Sequence, residues 1–247
     1  MFIKSIAAVA ALAISGAAFA GGHGGEVKYD GPKFDLSGVQ PEFRVGFLGD
    51  EAAADIIARN ECMVPYLEQV YNVPVKFFTF KDYAGTMESF LGGNLDYTWF
   101  GASGYAGMYL ENSEAGEPVL TRMQPSGDMG YYSVMVARKD SGIEKLEDMK
   151  GKKLGFADPN STSGFLVPSI ELAEKFGNLD DYFASAEFMG GHENGVLAVL
   201  NKDVDASVTW VLALANGTKA TPLATSARWL IRAFLTWTTS SRFGHLS

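Results

Sequence analysis

Cysteine is almost missing from this chain: Cys62 is the only one in 247 residues. No internal disulfide is available, so the fold must rest on a hydrophobic core. Basic residues are also scarce, with 20 Lys and Arg against 29 Asp and Glu and a formal net charge of -9. The basic footprint of a nucleic-acid-binding protein is absent, and any anionic ligand must be held by local groups. Several chemistry-bearing motifs are missing as well. There is no His-Glu-x-x-His, no paired-cysteine ligand set and no Walker-type phosphate loop. The run Gly101-Ala102-Ser103-Gly104-Tyr105 ends in Tyr where a nucleophile elbow needs Gly. The expectation is therefore a protein with no resident metal or cofactor and no enzymatic activity.

What is present is a 47% hydrophobic composition, enough for a buried core of one or two domains. Residues 1–20 read as a secretory signal, with Lys4 ahead of an apolar run over 6–19 and Ala18-Phe19-Ala20 as a small-x-small cleavage site. That run is too short to span a bilayer, which predicts export rather than anchoring. No Cys follows the cleavage site, which argues against a lipid anchor. Residues 21–42 are Gly-rich and aperiodic, a flexible leader. Its first residues, Gly21-Gly22-His23, would form a square-planar nitrogen site for Cu(II) or Ni(II), or are a chance run in that leader. Cys62 reads as a small packing residue.

Strands are predicted at 43–48, 75–80, 95–100, 119–123, 131–138, 152–156, 186–189 and 206–209. Between them, helices are predicted at 51–71, from about 84, and at 103–111, 163–176 and 193–201. Ile57, Val64, Leu67 and Tyr71 supply the apolar stripe of the first helix, and Pro65 is expected to kink it. The alternation implies an α/β protein with mostly parallel sheets. Pro125-Ser126-Gly127-Asp128 is the candidate crossover between a first lobe, 43–126, and a second, 127–218.

Open parallel sheets bind ligands at the carboxyl ends of their strands, which directs attention to the βα loops. Ser161, Thr162 and Ser163 are successive hydroxyls at a helix start, followed by Gly164. They form either an anion cradle on unpaired helix N–H groups or an ordinary N-cap, which needs one hydroxyl. Tyr83 and Tyr131 stand at strand and helix ends, as phenol donors to an anion or as packing aromatics. His192 follows two glycines at a helix start and is either solvated or a donor to an oxyanion.

Four segments together are more specific than any single loop: DYAG at 82–85, GYYSVMVARKDSGI at 130–143, DPNSTSGFLVP at 158–168 and GHENGVLAVLN at 191–201. In this order they resemble the substrate-binding proteins of phosphate/phosphite/phosphonate ABC transporters, over about residues 43–210. The resemblance implies a two-lobed, type II periplasmic-binding-protein fold. It further implies a monomer in the periplasm that takes a small phosphorus oxyanion (phosphonate, phosphite or phosphate) into an interlobe cleft and delivers it to a membrane permease. Tyr83 and Tyr131 match the family's tyrosine donors, Ser161, Thr162 and Ser163 its oxyanion loop, and His192 its histidine contact. Another oxyanion or a small organic acid on the same fold is the alternative. A hydrolase using Ser163 or His192 is the more distant rival.

Two departures from that pattern matter. No acid follows Val204-Asp205, so nothing there pairs an ammonium, and the expected ligand is small and lacks an amino group; Trp210 would narrow that side of the cleft. The family's C-terminal return to lobe 1 is not recognisable in residues 219–247. No Asp or Glu follows Asp205, and Trp229 and Trp237 lie in this tail. Because an in-frame ATG followed by G gives the Trp codon TGG after a one-base slip, the tail reads as out of frame. A membrane-surface helix over 228–237 is the competing reading.

Overall fold

The structure is a computed structural model and describes residues 28–123 and 129–211, together with the backbone of two strand pieces, Arg232–Ala233 and Trp237–Thr238. The expected signal sequence, Gly21-Gly22-His23, the expected crossover at 125–128 and the rest of the tail lie outside the described residues.

Lobe 1 is built on a three-stranded parallel sheet. Phe43–Phe47 (β1) lies between Val75–Thr79 (β2) and Tyr97–Thr98 (β3). Ala53–Asn60 (α1), Met63–Tyr71 (α2), Tyr83–Leu91 (α3) and Ala102–Glu111 (α4) connect and flank these strands. Phe43, Val45, Phe47, Ile56, Val73 and Val75 form its core, with the Tyr71 ring stacked on Phe43 at 4.3 Å.

The helix expected over 51–71 is two helices, and Pro65 is not the cause. Pro65 sits in the first turn of α2, where its missing N–H costs nothing. The break falls at Glu61 and Cys62, which leaves Cys62 exposed instead of packed. It also resets the helical phase: Ile56 is buried, while Ile57, expected inside, is 40% exposed. Residues 119–123 form no strand and leave Val119, Leu120 and Met123 exposed, and the strand expected over 95–100 shrinks to β3. Part of the expected leader is tied down: the Phe34 and Leu36 N–H groups donate to the Val70 and Tyr71 carbonyls at 2.7 and 2.9 Å.

Lobe 2 carries a mixed sheet in the order β6-β5-β7-β4-β8. Lys153–Phe156 (β5) pairs in parallel with Ser185–Phe188 (β6) and Ala206–Val211 (β7), whereas Tyr132–Ala137 (β4) is antiparallel to β7. The Arg232–Ala233 (β8) and Trp237–Thr238 (β9) pieces also pair antiparallel with β4. The exception to parallel pairing is β4, which joins the sheet beside β7 and runs antiparallel to it. Val167–Phe176 (α5), Leu179–Tyr182 (α6) and His192–Asn201 (α7) complete the lobe around a core that includes Met135, Met149, Leu154, Leu172 and Val208. Tyr132 pairs with Val211, so β4 begins where β7 ends, and both strand ends lie at the same side of lobe 2.

Candidate functional site

Three helices of lobe 1, α1, α3 and α4, start after its strands β1, β2 and β3, and their N-termini face lobe 2. Two are poorly capped by their own sequence: Ala52 and Gly101, at the N-caps of α1 and α4, make no side-chain cap. Lobe 2 supplies what they lack. Glu193 Oε2 accepts from Ala52 N at 2.6 Å, and Thr162 Oγ1 accepts from Ser103 N at 2.8 Å. At α3, Asp82 caps in place by accepting from Gly85 N at 2.9 Å, and the Asp158 carboxylate lies near the Tyr83 N–H across the cleft. Each cap places negative or acceptor character at a positive helix end.

The hydroxyl loop follows β5. Ser161 opens a five-residue π-helical turn, Thr162–Leu166, a rare form that often marks functional positions. Ser161 Oγ accepts from Gly164 N at 3.0 Å and lies 3.2 Å from His192 Nε2. Ser133 Oγ, buried in β4, donates to the Ser163 carbonyl at 2.6 Å. Gly164 is required sterically: a Cβ there would meet Ala157 Cβ at 2.4 Å and His192 Cε1 and Ser161 Oγ at 2.8 Å.

All six residues singled out in the sequence meet here. The Tyr83 phenol engages the Ser161 side chain, and the Tyr131 phenol engages those of Thr162 and Ser163. Burial raises the Tyr83 hydroxyl well above the ordinary phenol value and raises Tyr131 too, so both are neutral donors at neutral pH. The alternatives left open by the sequence merge. Ser161 is an N-cap and also touches His192, and Tyr83 is packed, at 4% exposure, with its hydroxyl in the cleft. His192 is not solvated. It is 2% exposed, burial lowers its pKa from 6.5 to about 4, and its Nδ1 has no hydrogen-bond partner among the described residues. Trp210 packs edge-on to Tyr131 with centroids 6.2 Å apart.

Sequence reasoning missed Asp50, Asp158 and Glu193. Asp50 lies in the β1–α1 turn, and the rule that ligands gather at strand carboxyl ends applies to that turn as much as to the three loops chosen. Glu193 and Asp158 stood inside quoted motifs, but their partners are backbone N–H groups of the other lobe, which leave no residue signature. Two surface cavities, of about 590 and 370 Å³, lie elsewhere: one beside α2 at Lys33, Glu68 and Asn72, the other at the β3 edge near Phe90, Trp99 and Leu120. Neither includes the six residues, which the closed lobes hold in mutual contact.

Two lobes, mixed α/β sheets and a polar cleft between strand-end loops define the periplasmic-binding-protein architecture. The family model for the periplasmic substrate-binding protein of phosphonate ABC transporters matches residues 45–228, and the chain belongs to that family. It is 35% identical over 163 residues to the phosphate-import protein PhnD of Mycolicibacterium smegmatis, covering 63% of this chain and 51% of that one. To the phosphonates-binding periplasmic protein of Escherichia coli it is 34% identical over 166 residues, covering 66% and 48%. The chain thus spans about half the length of these curated relatives. Among solved structures, a binding-protein component of an ABC phosphonate transporter from Pseudomonas aeruginosa matches with a TM-score of 0.64 and 32% identity, over 70% of this chain and 58% of that one. PhnD1 of Prochlorococcus marinus, solved with methylphosphonate, shares the fold with a TM-score of 0.65 at 24% identity, over 81% and 72%. The family's members are transport substrate-binding proteins.

Proposed function

We propose that this protein is a periplasmic solute-binding protein that captures a small phosphorus oxyanion, a phosphonate, phosphite or phosphate, and presents it to an ABC-transporter permease. The observation that carries this reading is the convergence of neutral donors from both lobes on one closed cleft: Tyr83 from lobe 1, and Tyr131, Ser161, Thr162, Ser163 and His192 from lobe 2. The charges that act on the two phenols are carboxylates, not cations. Hydroxyl donors and helix N-termini desolvate an oxyanion at less cost than a buried ammonium or guanidinium, and closure excludes water around it. The relatives named for phosphate and phosphonates support the ligand class. On this reading residues 1–20 direct export, the mature protein acts as a monomer, and closing of lobe 1 (43–126) on lobe 2 (127–218) is the signal to the permease. The absence of an acid on β7 after Asp205 favours a ligand without an amino group at that side.

The hydrolase reading is weaker. Ser161 and His192 touch, but burial makes His192 a poor base, and its Nδ1 has no orienting partner among the described residues. Calorimetric titration with phosphite, methylphosphonate, phosphate, sulfate and 2-aminoethylphosphonate tests the proposal. A phosphorus oxyanion should bind without turnover and, at a hundredfold over its Kd, add about 2.7 kcal/mol of stability. Failure of every phosphorus oxyanion to bind would overturn it, and tightest binding of 2-aminoethylphosphonate would overturn the preference for a ligand without an amino group while leaving the ligand class standing. The tail from about residue 219 belongs to the same reading as an out-of-frame stretch. An open frame continuing past the stop in the shifted register of the coding DNA supports that, and immediate stops refute it.

A further inference from the structure

Resting on that reading, we infer that the start of α4, Gly101 to Ser103, makes oxyanion capture conditional on closure. The Thr162 hydroxyl accepts from α4 with its oxygen and donates to the bound oxyanion with its proton, so that each contact strengthens the other.

α4 begins without a cap of its own. Gly101 offers no side chain at the N-cap, and no acidic residue stands in the first turn. The Ser103 N–H, an orphan donor at a positive helix end, is taken instead by Thr162 Oγ1 at 2.8 Å, 59 residues away in the hydroxyl loop of lobe 2. The packing around this bond comes from one side. A Cβ on Gly101 would meet Thr162 Oγ1 at 2.8 Å, the Tyr131 hydroxyl at 3.5 Å and Thr162 Cβ at 3.6 Å, all atoms of lobe 2. Further along α4, a Cβ on Gly104 would lie 3.6 Å from the Asn160 carbonyl oxygen, and one on Gly107 would lie 4.0 Å from Asn160 Oδ1. The spacing of three puts these glycines on one face of the helix, and that face lies against residues 160–162. Gly101 itself has φ -71° and ψ 165°, which any L residue adopts. Its lack of a side chain is therefore imposed by the facing lobe and not by its own turn.

The chemistry of one hydroxyl supplies the coupling. A hydroxyl has two lone pairs and one proton. With the Ser103 N–H on a lone pair, the Thr162 proton remains for the oxyanion that the hydroxyl loop holds in the proposed function. An anion that accepts this proton raises the negative charge on Oγ1 and strengthens its hold on the N–H. The N–H in turn makes the hydroxyl a better donor. With the lobes apart, the Ser103 N–H turns to water and the ligand meets an unpolarised hydroxyl. Such coupling is reciprocal: closure raises affinity by the same factor by which the ligand favours closure.

The test uses the full chain with phosphite as the probe, in calorimetric titration and in amide hydrogen exchange followed by NMR. Phosphite should slow exchange at the Ser103 amide by roughly tenfold or more in the unmodified protein and in Thr162→Ser, and leave it unchanged in Thr162→Ala. Gly101→Ala should unfold in urea like the unmodified protein but bind phosphite about tenfold more weakly, because the added Cβ obstructs only the closed state. Thr162→Ala binds weakly on its own account and leaves no oxygen to obstruct, so adding Gly101→Ala to it should cost no more than about twofold further. Losses that multiply in the double variant would overturn the inference, as would a Ser103 amide whose exchange ignores phosphite. Exchange at that amide decides the matter alone if Gly101→Ala does not fold. Each of these outcomes leaves phosphite binding by the unmodified protein, and with it the proposed function, standing. An unmodified protein that binds no phosphorus oxyanion overturns both.

Discussion

After β5 the chain turns through Asp158 to Ser163 with its polar atoms matched largely inside its own lobe: Asn160 N to Asp158 Oδ1 at 2.8 Å, Gly164 N to Ser161 Oγ at 3.0 Å, and Ser133 Oγ to the Ser163 carbonyl at 2.6 Å. After β1 the equivalent turn, residues 49–52, finds its partners in the other lobe: Glu193 for both the Ala52 N–H and the Asp50 carbonyl. One face of the cleft is preorganised, and the other is completed by closing. Groups fixed within lobe 2 set which head group fits, and groups of lobe 1 that gain partners only across the cleft report that it has closed. Helix N-termini capped in trans are the physical link, because the free energy of each cap is withheld until the lobes meet.

The comparison breaks most severely at Gly164. Gly164→Ala forces a Cβ to 2.4 Å from Ala157, whose own Cβ cannot swing away. We expect a loss of about 3 kcal/mol or more in urea unfolding, and oxyanion binding lost with it. The corresponding glycine at the lobe 1 helix start, Gly85, has 3.4 Å to its nearest neighbour, so Gly85→Ala should stay within about 0.5 kcal/mol. Equal costs at the two positions would remove the distinction between a rigid and an adaptable face.

The second break is made with pH, because the two faces respond with opposite sign. His192 has a folded pKa of about 4 against an unfolded 6.5. Its contribution to stability is intact above about pH 6.5 and falls as pH drops toward 4, by on the order of 3 kcal/mol, because the unfolded chain takes up the proton first. Asp50 is raised from 3.8 to about 7, so its contribution is present at acid pH and is lost as pH rises through that interval. Urea unfolding across pH should therefore show the acid-side loss shrink in His192→Asn and the neutral-side loss shrink in Asp50→Asn. Parallel pH profiles for the two variants would contradict the assignment.

The smallest effect sharpens the idea of closure. Glu193→Ala removes the cap on α1 from outside the head-group site and should weaken oxyanion binding about fivefold, near 1 kcal/mol, with little change in the acid limb of stability. Small-angle scattering should show a more open unliganded population. Unchanged affinity together with unchanged compactness would show that the cap contributes nothing to closing.

Much of this was legible in the sequence. Alternating β and α patterns placed the strands to within a residue or two at β1, β2, β4, β5 and β6, and the six site residues stood at helix and strand ends, where a ligand-binding loop was expected. The misses have separate causes. Cys62 and Ile57 were misplaced because a helix break at Glu61 and Cys62, with no Gly or Pro to announce it, shifted the helical phase. Residues 119–123 looked like a strand by composition but pair with no neighbour in the sheet.

By itself, then, the sequence determined the periodicities, the caps that act locally and the chemical character of the loop at 158–164, because each depends on residues within one helical turn of each other. Only the tertiary structure decided that Asp50 lies within electrostatic reach of Tyr83 and Tyr131, that Glu193 and Thr162 cap helix starts 141 and 59 residues away, and that His192 is neutral. Those facts depend on burial and on contacts between segments far apart in the chain, and a buried group's charge state is set by what surrounds it, not by its neighbours in sequence.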